Sequence, residues 1–189
     1  MKPKTFSETF TNQDFSNQAL ERDEFDSCCF MNCSFSNSVL AGIEFSDCSF
    51  INCDLSNARV EGTALKSIIF KDCKLLGINF SRTKTFAFAL IMEGCNLSYA
   101  SFDNTKLNKS IFQNCKLEGV NFTQADLSKS TFNNCDMLDA VFSNTNLSGV
   151  DFTTCRNFII HPELNQIKKA IFLRQDLERL LRGYDIRVE

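Results

Sequence analysis

A chain of 189 residues is long enough for one domain with a sizeable core, and a net charge of −3 is too small to name a partner. With 20 Phe, 10 Cys, no Trp, 2 Pro and 7 Gly, it cannot be an all-β fold that turns its corners on glycine and proline. The first six residues lack the apolar core of a secretion signal and no apolar run suits a membrane helix, so a cytoplasmic protein with reduced thiols and no membrane contact is expected.

Charge is unevenly distributed. Residues 1–60 hold nine acids and four bases, 61–156 nine acids and ten bases, and 157–189 five acids and six bases. No basic stripe of the kind that binds nucleic acid is visible, and no direct nucleic-acid contact is expected.

From the N-terminus onward a large apolar residue recurs at every fifth position: Phe10, Phe15, Leu20, Phe25, Phe30, Phe35, Leu40, Phe45, Phe50 and on to Phe80. A small or apolar residue usually stands two positions before each, as in Cys33, Ser38, Cys53 and Ala58. A period of five fits neither a helix nor a strand. It fits a chain that turns a corner every five residues, sending two side chains inward and three outward. In the first repeats Glu8, Gln13, Gln18 and Asp23 hold the small inward slot, so this stretch is either a polar cap or poorly ordered; the cap is the reading adopted.

Four corners close a coil after twenty residues, and the cysteines show that longer period. Cys33, Cys53, Cys73, Cys95, Cys115, Cys135 and Cys155 are separated by 20 residues, except for 22 between Cys73 and Cys95. Steps of twenty also sort the central residues by face. One column runs Phe10, Phe30, Phe50, Phe70, Met92, Phe112, Phe132, Phe152; another runs Leu20, Leu40, Val60, Phe80, Phe102, Phe122, Phe142. A third runs Phe25, Phe45, Leu65, Ala87, Leu107, Leu127, Leu147, beside small residues Thr63, Thr85, Thr105 and Thr145. Coils paired at about 4.8 Å make a rod of roughly 35 Å, held by nearest-neighbour terms and needing caps at both ends. The cysteine ladder suits a small apolar spacer better than a tetrahedral metal centre.

The frame slips at about 81–91. Keeping Ala87 inward puts Phe86 and Phe88 outward; a local bulge instead turns both rings into the core, and if exposed they are the best hydrophobic contact on the rod. The repeats end near residue 156, and 157–189 is a C-terminal segment with a helix predicted at about 173–183. Leu173, Leu177, Leu180, Leu181 and Tyr184 form one apolar stripe along it, and Gly183 is a stop signal. That stripe either caps the last coil or packs against a second copy across a two-fold axis. No nucleophile–His pair, metal-protease motif or phosphate loop is present, and the single His161 lies outside the repeats, so no enzyme and no cofactor are expected.

Ala125-Asp126-Leu127-Ser128-Lys129 and Cys95-Asn96-Leu97-Ser98-Tyr99 match the A(D/N)LXX signature, and the chain over about 8–156 resembles the pentapeptide-repeat family. That resemblance implies a right-handed quadrilateral parallel β-helix. The tail, with Ile167-Lys168-Lys169-Ala170-Ile171-Phe172 and then Tyr184-Asp185-Ile186-Arg187-Val188-Glu189, is similar to that of the Qnr-type and albicidin-immunity members. Those proteins protect DNA gyrase from inhibitors, with rods thought to resemble B-DNA in shape and charge. The resemblance therefore implies a non-enzymatic DNA mimic, a gyrase or topoisomerase IV partner, and a homodimer through the tail. Glu24, Asp26, Glu44 and Asp47 share a face and are the acidic contact candidates; Lys106, Lys109 and Lys129 interrupt that face beyond the insertion. A scaffold for an unrelated protein partner is the competing class.

Overall fold

The chain turns its corners on residues held in left-handed backbone. The structure, a computed structural model, describes residues 4–21, 23–84, 90–181, 184 and 186–187. Among them 22 non-glycine residues have positive φ, from Ser7 to Lys169, spaced mostly by five, and 11 of these are Asn. Asn tolerates this conformation better than other residues with a side chain, which explains how so few glycines suffice. The Asn side chains also bond along the rod: Asn52 Nδ2 donates to Asn32 Oδ1 at 2.7 Å and Asn134 Nδ2 to Asn114 Oδ1 at 2.9 Å.

Between corners run short strands: β1 (Lys4–Phe6), β2 (Thr9–Thr11), β3 (Glu24–Asp26), β4 (Cys29–Met31), β5 (Glu44–Ser46) and β6 (Ser49–Ile51). They continue as β7 (Ala64–Lys66), β8 (Ile68–Lys71), β9 (Leu90–Glu93), β10 (Ile111–Gln113) and β11 (Thr131–Asn133). β1, β3, β5 and β7 form one parallel face; β2, β4, β6, β8, β9, β10 and β11 form the next. The other two faces are held by single parallel bridges such as Ser34 with Asp54 and Val39 with Arg59. The result is a right-handed four-sided parallel β-helix.

Register follows the twenty-residue step. Phe10 pairs with Phe30, Phe30 with Phe50, Phe50 with Phe70, then Phe70 with Met92 and Met92 with Phe112. The rings stack inside: centroids are 4.8 Å apart for Phe30 and Phe50, and 4.7 Å for Phe80 with Phe102 and for Phe112 with Phe132. The cysteine column stands on one inner face, with Cys33 N–H donating to Cys53 Sγ at 3.4 Å and Cys53 Sγ to the Phe30 carbonyl at 3.4 Å. All ten thiols are free. Burial pushes the Cys48 thiol up to about 12, so this sulfur stays protonated at neutral pH.

The two-residue insertion lies later than the small-residue column suggests. Thr83 is buried after Thr63, and Lys84 still bridges Ala64 in a twenty-residue step. Its hydroxyl donates to the Phe80 carbonyl at 2.7 Å, as Thr105 does to Phe102 at 2.6 Å, so each of these buried hydroxyls is satisfied locally. The frame has slipped by the time Leu90 pairs with Ile68. Thr85, Phe86, Ala87 and Phe88 lie outside the described residues.

The N-terminal cap is a rim and not a lid. Glu8, Gln13, Gln18 and Asp23 are exposed, and the two glutamines bond back to the Thr11 and Asp14 carbonyls of their own coil. Phe10 and Phe15 are left half-buried beside a hollow of about 400 Å³ that Leu20 and Phe25 also line.

At the other end the α-helix is shorter than the predicted 173–183. It is α1 (Leu177–Leu181), preceded by a 3-10 turn over Arg174–Asp176, while Leu173 is still extended. Phe172 stacks on Phe152 at 5.1 Å, so the chain leaves the solenoid only after that ring. Leu180 then turns into the core, and Arg179 lies over the Phe158 ring at 5.2 Å. Arg182 and Gly183 lie outside the described residues.

Candidate interaction surface

Outward side chains of successive coils form ladders, and the ladder on the face of β1, β3, β5 and β7 carries the acidic candidates. Its first column reads Lys4, Glu24, Glu44, Ala64, Lys84, and its second Phe6, Asp26, Ser46, Lys66. Asp47 stands at the following corner with φ 52°. Glu24, Asp26, Glu44 and Asp47 are therefore brought together as expected. They are not an uninterrupted negative surface, because Lys4 pairs with Glu24 and Lys66 with Glu44. Those pairs join residues 20 and 22 apart, which no local charge count reveals.

The Lys66 hydrogen bond holds the Glu44 carboxyl below its usual range. A lowered carboxylate pKa contributes stability above the ordinary Glu value of about 4.3 and loses it as pH falls through the folded value. A Glu44→Gln protein is thus expected to melt below the parent at neutral pH. The gap should narrow as pH falls through the folded value of Glu44, because a protonated glutamate is neutral like the glutamine that replaces it. A gap independent of pH in thermal melts would show that the pair is not its cause.

Two surface features had no sequence expectation. Ile69, Ile91 and Ile111 are successive partners on the outer side of β8, β9 and β10, making an apolar column in which Ile69 and Ile91 are 43% and 40% exposed. Outward slots read in steps of twenty would have found it. Tyr99 occupies a corner at φ 62° and is 66% exposed. A Cβ on Gly119 would stand 2.7 Å from the Tyr99 ring, so that glycine admits the tyrosine, whose hydroxyl donates to Glu118 Oε1 at 3.2 Å.

The tail residues do not act as one stripe. Leu180 is buried and Leu181 half-buried, whereas Leu173, Leu177 and Tyr184 remain 38%, 47% and 49% exposed. Tyr184 Oη donates to Glu163 at 2.8 Å and so lies along the last coil. Among the described residues no group of three or more His, Cys, Asp or Glu could hold a metal ion, and no helix is long and apolar enough to cross a membrane.

A closed parallel solenoid whose inner slots are filled by Phe, Leu, Cys and Thr is a protein of the repeat-solenoid class. Two descriptions of one family match the chain, a pentapeptide repeat region over 105–180 and pentapeptide repeats over 28–66, together more than half of it. The chain belongs to the pentapeptide-repeat family. Among solved structures it is similar to a trypsin-treated variant of QnrB1, a plasmid-mediated fluoroquinolone resistance protein, at 19% identity and TM-score 0.50, covering 99% of this chain and 100% of that one. It is also similar to HetL, a pentapeptide repeat protein involved in heterocyst differentiation regulation from the cyanobacterium Nostoc sp. strain PCC 7120. That match has 18% identity and TM-score 0.52, over 88% of this chain and 86% of the other. No curated protein sequence matches.

Proposed function

We propose that this protein works by binding a DNA topoisomerase, DNA gyrase or topoisomerase IV, in the cytoplasm and shielding it from an inhibitor, without catalysing a reaction. The observation that carries this reading is the end-to-end correspondence with a QnrB1 rod, tail included, in a protein that confers fluoroquinolone resistance. The rod would enter the positively charged DNA-binding saddle, and Asp26 and Asp47 are its strongest acidic contacts, since Glu24 and Glu44 are already paired. Supercoiling by purified gyrase, titrated with this protein with and without a quinolone, tests it. Inhibition at high concentration or rescue from the drug is expected. Asp26→Lys with Asp47→Lys should weaken that effect, and the variant's effect should fall less steeply with salt. No effect of the parent in either arm would sink the reading.

The pairing of Glu24 and Glu44 favours a second reading, a scaffold for another protein, because it removes half of the acidic ladder that mimicry of DNA calls for. In both readings the exposed Leu173, Leu177 and Tyr184 join two copies through their tails, giving a homodimer.

A further inference from the structure

The face that is acidic near the N-terminus becomes basic farther along the rod. Lys84 continues the column of Glu24, Glu44 and Ala64. Lys106 bridges Asp126, and that column continues through Asn146 to Gln166. The adjoining corner is a ladder: Lys109 N–H donates to the Ser128 carbonyl, Lys129 to Ser148 and Gly149 to Lys168, leading to Lys169 two coils beyond Lys129. Lys84, Lys106, Lys109, Lys129, Lys168 and Lys169 are all exposed. None has an ion pair among the described residues, whereas the other described lysines (Lys4, Lys66, Lys71, Lys74 and Lys116) each have one. Among the described residues the lysines without an ion pair are thus confined to one edge of the rod.

The corner itself points the same way. Lys109, Lys129 and Lys169 hold φ of 66°, 59° and 61°, a conformation that Asn or Gly adopts at lower cost and that no lysine adopts elsewhere among the described residues. A solvated corner has no need of lysine there. A chain of net charge −3 has no general attraction for polyanions either, so binding of one calls for a local concentration of bases such as this edge.

We propose that this lysine edge binds the phosphate backbone of duplex DNA, independently of base sequence. Five coil levels at about 4.8 Å span about 19 Å, the axial rise of roughly six phosphates on one strand. Lysines act as point charges on phosphate and, without arginine forks or groove-reading side chains, carry no base preference. The described part of the edge has no aromatic side chain to stack an unpaired base, which separates it from single-strand binders. Asp126, inside the edge, is held by Asn146 Nδ2 at 3.0 Å and subtracts one charge. The inference stands apart from the topoisomerase reading: it concerns DNA alone and is tested with no topoisomerase present.

The probe is a fluorescein-labelled 20-base-pair duplex of arbitrary sequence, followed by anisotropy from low to physiological salt. The parent is expected to bind weakly, in the nonspecific range of about 10⁻⁴–10⁻⁶ M, with log K falling against log salt by about 4 per decade. The test variant is Lys106→Gln, Lys109→Asn, Lys129→Asn. Asn is the common corner residue here, so the fold is retained and circular dichroism should match the parent. The slope should fall by about 2–3 and low-salt affinity by about tenfold or more. Lys71→Gln, Lys74→Gln, Lys116→Gln, which removes the same charge from paired sites, should bind like the parent. No binding by the parent at about 50 mM salt, or equal losses in the two triple variants, overturns the proposal. Competition by polyglutamate as effective as unlabelled duplex would assign the edge to an acidic protein instead, and overturns it equally.

Discussion

Replacing Phe112 by alanine is expected to destabilise the protein by about 3–5 kcal/mol, the cost of emptying a buried aromatic site in a packed core. Phe112 is fully buried, stacks on Phe132 at 4.7 Å and meets the edges of Phe102 and Phe122 at 6.2 Å each. Neighbouring coils are locked in register on both sides, so the walls cannot collapse into the space without breaking ladder hydrogen bonds, which places the cost in the upper part of the range. For a chain of this length the melting temperature should fall on the order of 10 °C. Phe10→Ala is the matched comparison: the same column, but a half-buried ring at the open end, with a coil on one side only. It should cost clearly less. Equal shifts for the two would mean that stability does not propagate from coil to coil as a solenoid requires.

The second large effect concerns the tail. Leu173→Asp with Leu177→Asp is expected to turn a homodimer into a monomer by light scattering, with the β-rich circular dichroism largely kept. The two leucines are exposed on the single chain, so charging them costs the monomer little, whereas two such pairs facing each other across a two-fold axis would bury unpaired carboxylates. Leu180 is left unchanged because it already belongs to the core, and altering it would confuse docking of the helix with assembly. A parent that is monomeric at high concentration would mean that the tail only caps the last coil.

The particular residues show why some features were legible and others not. The inner columns could be read directly: a slot between opposing walls accepts only a few side chains, so Phe30, Phe50, Phe70, Met92 and Phe112 recur in step and their register follows by counting. The seven spaced cysteines carried the position of the insertion to within one coil for the same reason. Its finer placement was not legible because a threonine at 83 and one at 85 suit the small slot equally well as residues, and it takes the bridge from Ala64 to Lys84 to carry the twenty-residue step past Thr83. The predicted helix was too long because Phe172, stacked on Phe152, still belongs to the last coil, so Leu173 is extended and a 3-10 turn over Arg174–Asp176 precedes the α-helix.

By itself the sequence determined the fold and the inner columns of Phe, Leu and Cys, because each inner slot is imposed on every coil and repetition makes it visible. Only the tertiary structure decided how the outward charges combine. Lys4 neutralises Glu24, Lys66 neutralises Glu44, and six lysines with no ion pair among the described residues, the first Lys84 and the last Lys169, line one edge. The physical reason is that outer slots face water and are free to vary, so their residue types need not repeat from coil to coil. A charge there acquires its partners from the coils above and below, about twenty residues away in the chain and about 4.8 Å away in space.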